Sequence, residues 1–136
     1  MIVVTGGAGF IGSALIAQLN KRHVTDILVV DELGTDNKWK NLLNLSFADY
    51  VEKNDFLEMV VENKLSALIE AVFHMGACTS TTETNASYLI KNNYEYTKLL
   101  AQWAVKTGIR FIYASSAATY GDGSEGFSDD EKKIHN

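Results

Sequence analysis

Short apolar runs alternate along this chain with longer stretches whose apolar positions recur at helical spacing, a pattern that predicts parallel β-α-β units. The runs place strands at Ile2–Thr5, Asp26–Asp31, Ala71–His74 and Phe111–Ser115, with a fainter one near Ser46–Val51. Between them the spacing predicts helices at about Phe10–Lys21, Lys38–Leu43, Asp55–Asn63 and, longest, Thr82–Lys106. Ser80-Thr81-Thr82-Glu83 has the spacing of a capping box before that last helix. Lys106 and Gly108 supply its basic last turn and a glycine stop. Right-handed crossovers then arrange the strands in the order 3-2-1-4-5.

The turn after the first strand carries specific chemistry. In Thr5-Gly6-Gly7-Ala8-Gly9-Phe10-Ile11-Gly12 the glycines at 6, 9 and 12 are spaced Gly-x-x-Gly-x-x-Gly, between a strand and a helix. Gly6 makes the tight exit from the strand, Gly9 lets backbone approach a pyrophosphate, and Gly12 lets the helix pack closely. The helix N-terminus then turns its unpaired N–H groups toward the phosphates. The second strand ends in Asp31, at the distance expected of a ribose-binding acid. The fold class is therefore α/β, a Rossmann-type doubly wound parallel sheet, truncated after about five strands. Residues 1–121 read as an incomplete NAD(P)-binding domain. From Gly121 the residues turn polar and aperiodic, so 122–136 read as a loop or frayed C-terminal end. A sixth strand and a substrate domain would normally follow, so the expectation is an N-terminal fragment of a longer protein.

Composition narrows the class further. The 136 residues suffice for about one domain with a real core. A net charge of −5 offers no electrostatic footprint for nucleic acid or an anionic membrane. No apolar run approaches the roughly 20 residues that span a bilayer, and the chain opens on a strand rather than a leader, so a cytoplasmic location is expected. Cys78 is the sole cysteine, which excludes an internal disulfide and fits a reducing compartment.

In an open parallel sheet ligands lie beyond the carboxyl ends of the strands, where the order reverses. After the fourth strand comes His74-Met75-Gly76-Ala77-Cys78-Thr79-Ser80, whose small residues suit close passage of a cofactor, or simply a tight turn. His74 reads as a satisfied core histidine rather than a proton shuttle. Cys78 reads as a packed residue, with no basic partner near it in sequence. Helical spacing puts Asn92 inside the stripe Leu89, Tyr96, Leu99, Leu100 and Trp103, on the face turned to the sheet. A buried amide there needs partners, either a neighbouring loop or a bound cofactor. Ser115 and Ser116 end the fifth strand, where a hydroxyl could meet a substrate carbinol. Tyr94 and Lys98 have Tyr-x-x-x-Lys spacing but sit in the middle of the long helix, before the serine strand, and are rejected as a catalytic pair.

Taken together, the glycine turn, Asp31, the Asn92 helix and Ala114-Ser-Ser-Ala-Ala-Thr-Tyr-Gly121 resemble the extended short-chain dehydrogenase/reductases, the family of nucleotide-sugar epimerases and dehydratases. Within it, Asp26–Asp31, Ala48–Tyr50, Gly76–Glu83, Asn92–Tyr94 and Tyr113–Gly121 are similar to segments of the epimerases that act on ADP-heptose, which supply the lipopolysaccharide inner core. The resemblance implies a bound, unconsumed NADP that takes a hydride from the heptose carbinol and returns it to the opposite face. It assigns cofactor contacts to Phe10, Ile11, Asp31, Glu32, Lys38, Lys53, Met75, Gly76, Ala77, Cys78, Thr79 and Asn92, beside Gly6, Gly9 and Gly12. Ser116 would hydrogen-bond the reacting hydroxyl. The family's catalytic tyrosine, its lysine and its second base are expected beyond Asn136, so this chain alone is expected to be inactive. Glu32 stands where the family often has asparagine. Two acids beside a ribose favour a free 2′-hydroxyl and hence NAD, whereas Lys38 and Lys53 suit the 2′-phosphate of NADP. The expected partners are an ADP-heptose-type substrate and, at full length, further copies of the same chain, with neither nucleic acid nor membrane. A 4-epimerase, a 4,6-dehydratase or a non-catalytic NAD(P)-binding module are the alternatives.

Overall fold

The computed structural model describes residues 1–65, 68–124, 126–128 and 130. Five parallel strands form one sheet: β1 (Ile2–Thr5), β2 (Ile27–Asp31), β3 (Asp49–Glu52), β4 (Ala71–His74) and β5 (Arg110–Tyr113). Their order is β3-β2-β1-β4-β5, as the crossovers predict. Val4 of β1 pairs with Val29 on one side and Phe73 on the other. The chain first builds outward through β2 and β3, then returns past β1 to β4, so the crevice lies beyond the ends of β1 and β4.

Alternation along each strand divides the core between two faces. Val3, Leu28, Val30 and Val72 meet Phe56 and Val60 of α2 (Lys53–Val61) and Tyr96, Leu100 and Trp103 of α4 (Tyr96–Thr107). Phe56 and Trp103 meet edge-on, 6.3 Å between ring centres. On the opposite face Val4, Ile27 and Val29 pack on Ile16 of α1 (Phe10–Lys21), with Leu42, Leu45 and Phe47 from the connection before β3. Helices on both faces explain why β2 is buried at every position, while β5, at the sheet edge, is not.

The predicted long helix is the main correction. It does not start at Thr82. Ser80 Oγ meets Thr82 Oγ1 at 3.0 Å inside a turn, and Glu83 accepts from the Asn85 N–H at 2.7 Å, so no capping box forms. Asn85 is the cap: its Oδ1 accepts from the Tyr88 N–H at 3.0 Å and opens α3 (Ala86–Leu89). A π-helical turn, Ile90–Glu95, then leads into α4, which ends at Gly108 with φ 72°. Leu99, at the edge of the predicted stripe, is exposed, while Tyr96, Leu100 and Trp103 stay buried. Smaller shifts are that α2 begins at Lys53, directly after β3, and that a 3₁₀ turn, Ala117–Tyr120, follows β5. Residues 125, 129 and 131–136 of the predicted C-terminal loop lie outside the described residues. No helix among the described residues is long and apolar enough to cross a membrane.

Candidate cofactor site

The turn after β1 and the loop after β4 touch backbone to backbone. Gly6 has φ 66°, and a Cβ there would lie 2.6 Å from both the Cα and the nitrogen of Gly76. A Cβ on Gly12 would lie 2.1 Å from the Gly6 carbonyl oxygen and 2.7 Å from Gly7 Cα. Backbone cannot give way, so both positions demand glycine. The result is a side-chain-free floor at the N-terminus of α1.

Above that floor opens a cavity of about 340 Å³. Gly6, Gly9, Phe10, Ile11 and Gly12 line it from the turn, Asp31 and Glu32 from the end of β2, and Lys38 and Lys53 from the following segments. Met75, Gly76, Ala77 and Thr79 line it from the β4 loop, and Asn92 from the π turn. Cys78 belongs to the same loop but does not line the cavity. Phe10, 88% exposed, stands at the mouth as uncovered apolar surface.

Asp31, only 7% exposed, is committed to the protein itself. Its Oδ2 accepts from the Ala8 N–H at 2.8 Å, and its Oδ1 accepts from the Glu32 N–H at 2.7 Å and the Lys38 ammonium at 2.8 Å. The acid expected to hold a ribose thus also ties the glycine turn to β2. Lys53 forms an ion pair with Glu32, donates to Asn92 Oδ1 at 2.8 Å and lies 5.5 Å from the Tyr88 ring centre. Burial works against its charge, but Glu32 together with Tyr88 more than offsets this and its pKa is raised. Each lysine of the rim is therefore matched by one acid.

His74 is a core histidine, 3% exposed, with its ring stacked between Tyr96 and Phe111. Burial pushes its pKa down to about 4. Its neighbours determine the tautomer. Thr97 spends its one hydroxyl hydrogen on the Asn93 carbonyl at 2.7 Å, so it accepts from His74 Nε2 at 2.8 Å. Nδ1 then accepts from Thr5 Oγ1 at 2.6 Å, and Thr5 Oγ1 accepts from the Gly76 N–H at 3.2 Å.

Ser116 follows β5 at the same edge of the sheet, exposed, and does not line the cavity; its Oγ accepts from the Ala118 N–H at 3.2 Å. Tyr94 and Lys98 face each other on an exposed surface, the ammonium 5.6 Å from the ring centre and away from the cavity. Thr5, Val30, Tyr88 and Tyr96 also line the cavity and were missed from sequence. Thr5 had a usable signal, since it pairs in register with His74 across β1 and β4.

A glycine floor at a helix N-terminus, an acid closing β2 and a crevice at the strand-order reversal define a dinucleotide-binding Rossmann-type protein. The chain belongs to the NAD dependent epimerase/dehydratase family, whose profile matches residues 2–136. It is 54% identical over 131 residues to the ADP-L-glycero-D-manno-heptose-6-epimerase of Nitratidesulfovibrio vulgaris strain DP4, covering 96% of this chain and 41% of that protein. The enzyme of the same name from Brachyspira hyodysenteriae is 50% identical, with 97% and 42% covered. The crystal structure of the Helicobacter pylori ADP-L-glycero-D-manno-heptose-6-epimerase superposes with a TM-score of 0.79 at 28% identity, over 97% of this chain and 44% of that one. A Brucella ovis UDP-glucose 4-epimerase in complex with NAD gives 0.70 at 30% identity, over 88% and 37%. The chain therefore spans about 41% of the length of the curated relatives it matches.

Proposed function

We propose that this chain is the cofactor-binding part of an ADP-heptose 6-epimerase that works with NADP in supplying heptose for lipopolysaccharide. The observation that carries the reading is the cavity over the Gly6–Gly76 contact, where the α1 N-terminus, Asp31, Lys38, Lys53 and Asn92 converge. The pyrophosphate fits the glycine floor and the α1 N–H groups, as an anion does at any helix N-terminus. Asp31 and the two lysines would meet the adenosine ribose, and Phe10 and Ile11 would be covered by the ligand. When bound, the dinucleotide supplies hydride acceptance and return at the sugar carbinol. Ser116 would orient the reacting hydroxyl from the end of β5. The only Tyr-x-x-x-Lys in the sequence, Tyr94 to Lys98, is turned away from the cavity, so this chain would bind cofactor without turning over substrate.

NAD is the second reading, favoured by the ion pairs Lys38–Asp31 and Lys53–Glu32, since a 2′-phosphate would have to compete for cations already matched. Titration of the chain with NADPH and NADH, followed by reduced-cofactor fluorescence, tests both. Tighter binding of NADPH, reduced by about tenfold or more in Lys53→Ala with NADH little changed, supports NADP, given charge-assisted contacts of about 1.5–3 kcal/mol. Tighter NADH binding supports the second reading, and binding of neither overturns the cofactor role.

A further inference from the structure

Asn93 does not line the cavity, yet the loop that does is fastened to it at two places. Its side-chain amide faces the Cys78 peptide: Oδ1 accepts from the Cys78 N–H at 2.8 Å and Nδ2 donates to the Cys78 carbonyl at 3.0 Å. One amide orientation alone satisfies both bonds. Its backbone carbonyl accepts from Thr97, which leads through His74 and Thr5 to the Gly76 N–H. The two attachments bracket Ala77.

Asn92 and Asn93 both sit in the π turn Ile90–Glu95, four and three residues before the buried Tyr96, and so flank the helix face turned to the sheet. Asn92 Oδ1 takes the Lys53 ammonium, its Nδ2 donates to Asn93 Oδ1 at 3.0 Å, and Asn93 takes the loop. Such turns recur at functional sites.

We infer that Asn93 is a positioning residue: from the π turn it holds the Met75–Thr79 loop in its cofactor-accepting shape before any ligand arrives. This rests on the proposed cofactor role of the site. A preformed loop spares the ligand the cost of ordering it, so losing the clamp weakens dinucleotide binding without touching a ligand contact. The loop does not distinguish a 2′-phosphate from a hydroxyl, so NADPH and NADH suffer alike.

Cys78 is the chain's only cysteine and half-buried, so its thiol reports on the loop independently of cofactor. Asn93→Ala in the complete chain is compared with the parent for Cys78 labelling by a thiol-disulfide reagent, for NADPH and NADH dissociation constants, and for urea unfolding. The expected result is labelling faster by about tenfold and both cofactors weaker by about tenfold, the scale set by one to two hydrogen bonds, with cooperative unfolding retained. Labelling and binding within twofold of the parent in a folded variant overturns the inference, because a purely structural residue would lower only the urea midpoint. If Asn93→Ala does not fold, Asn93→Asp replaces it; this keeps the acceptor for the Cys78 N–H and loses the donor to the carbonyl, and the same two readouts decide. If the parent itself binds neither dinucleotide, the functional reading fails, and the Cys78 rate alone still decides for or against the clamp.

Discussion

His74 has an ordinary pKa near 6.5 and is held at about 4 by burial. Between those values the unfolded chain takes up a proton that the folded chain refuses. Protonating Nδ1 would also turn the Thr5 hydroxyl hydrogen away from its one acceptor in the network, with the Gly76 N–H still donating to the same oxygen. The stability held by neutral His74 is therefore complete above about pH 6.5 and is lost as pH falls toward 4, by up to about 3 kcal/mol. Urea unfolding of the parent and of His74→Gln at pH 7 and pH 4.5 measures it. The parent is expected to lose more stability over that interval than the variant, and equal losses would contradict the assignment. Gly12 is the other residue with a sharp consequence. With a Cβ 2.1 Å from the Gly6 oxygen, Gly12→Ala must push α1 off the turn. The expected cost is about 1–3 kcal/mol of stability by urea denaturation, accompanied by loss of dinucleotide binding.

The first and fourth helical segments differ in how well their sequence announces them, and the difference is physical. Phe10–Lys21 follows from the glycine turn and from apolar spacing that nothing interrupts, and the structure has those same bounds. The helix after β4 carries the capping-box spacing of Ser80 and Glu83, but the structure turns Ser80 Oγ to Thr82 and opens the helix at Asn85, whose Oδ1 accepts from the Tyr88 N–H. Ser80→Ala is therefore expected to change stability by less than about 0.5 kcal/mol, and Asn85→Ala to cost about 1 kcal/mol, in matched urea titrations. A larger loss at Ser80 would restore the capping box. The π turn was illegible because side-chain spacing does not mark it: Asn92 and Asn93, four and three residues before Tyr96, border the same face at ordinary helical spacing. The strand-end residues were legible because a parallel sheet puts its strand ends together whatever the loops do. Lys38 and Lys53 required the resemblance, since nothing local separates them from surface lysines.

At the scale of the whole molecule the sheet is unevenly finished. β1, β2 and β4 have neighbours on both sides, whereas β5 pairs with β4 alone among the described residues. The two edges are not equivalent. β3 begins with Asp49 and ends with Glu52, beside the α2 helix that directly follows it, and acids along an edge discourage a further strand. β5 reads Arg110-Phe111-Ile112-Tyr113, three of its four residues apolar or aromatic, and Tyr113 is 56% exposed. Among the described residues that is a short apolar edge with one charge, whose outward N–H and C=O groups meet no further strand, open to pairing with a strand from another copy. Self-association of this chain is therefore expected to rise with concentration in sedimentation velocity between about micromolar and hundred-micromolar protein, the range in which exposed edges commonly associate. Tyr113→Lys places a charge on that edge outside the cofactor cavity, and it is expected to return the sedimentation coefficient to that of a monomer while leaving dinucleotide binding unchanged. Persistent association in the lysine variant would move the contact elsewhere, to the exposed Phe10 and Ile11 at the cavity mouth, and saturating dinucleotide would then dissolve it.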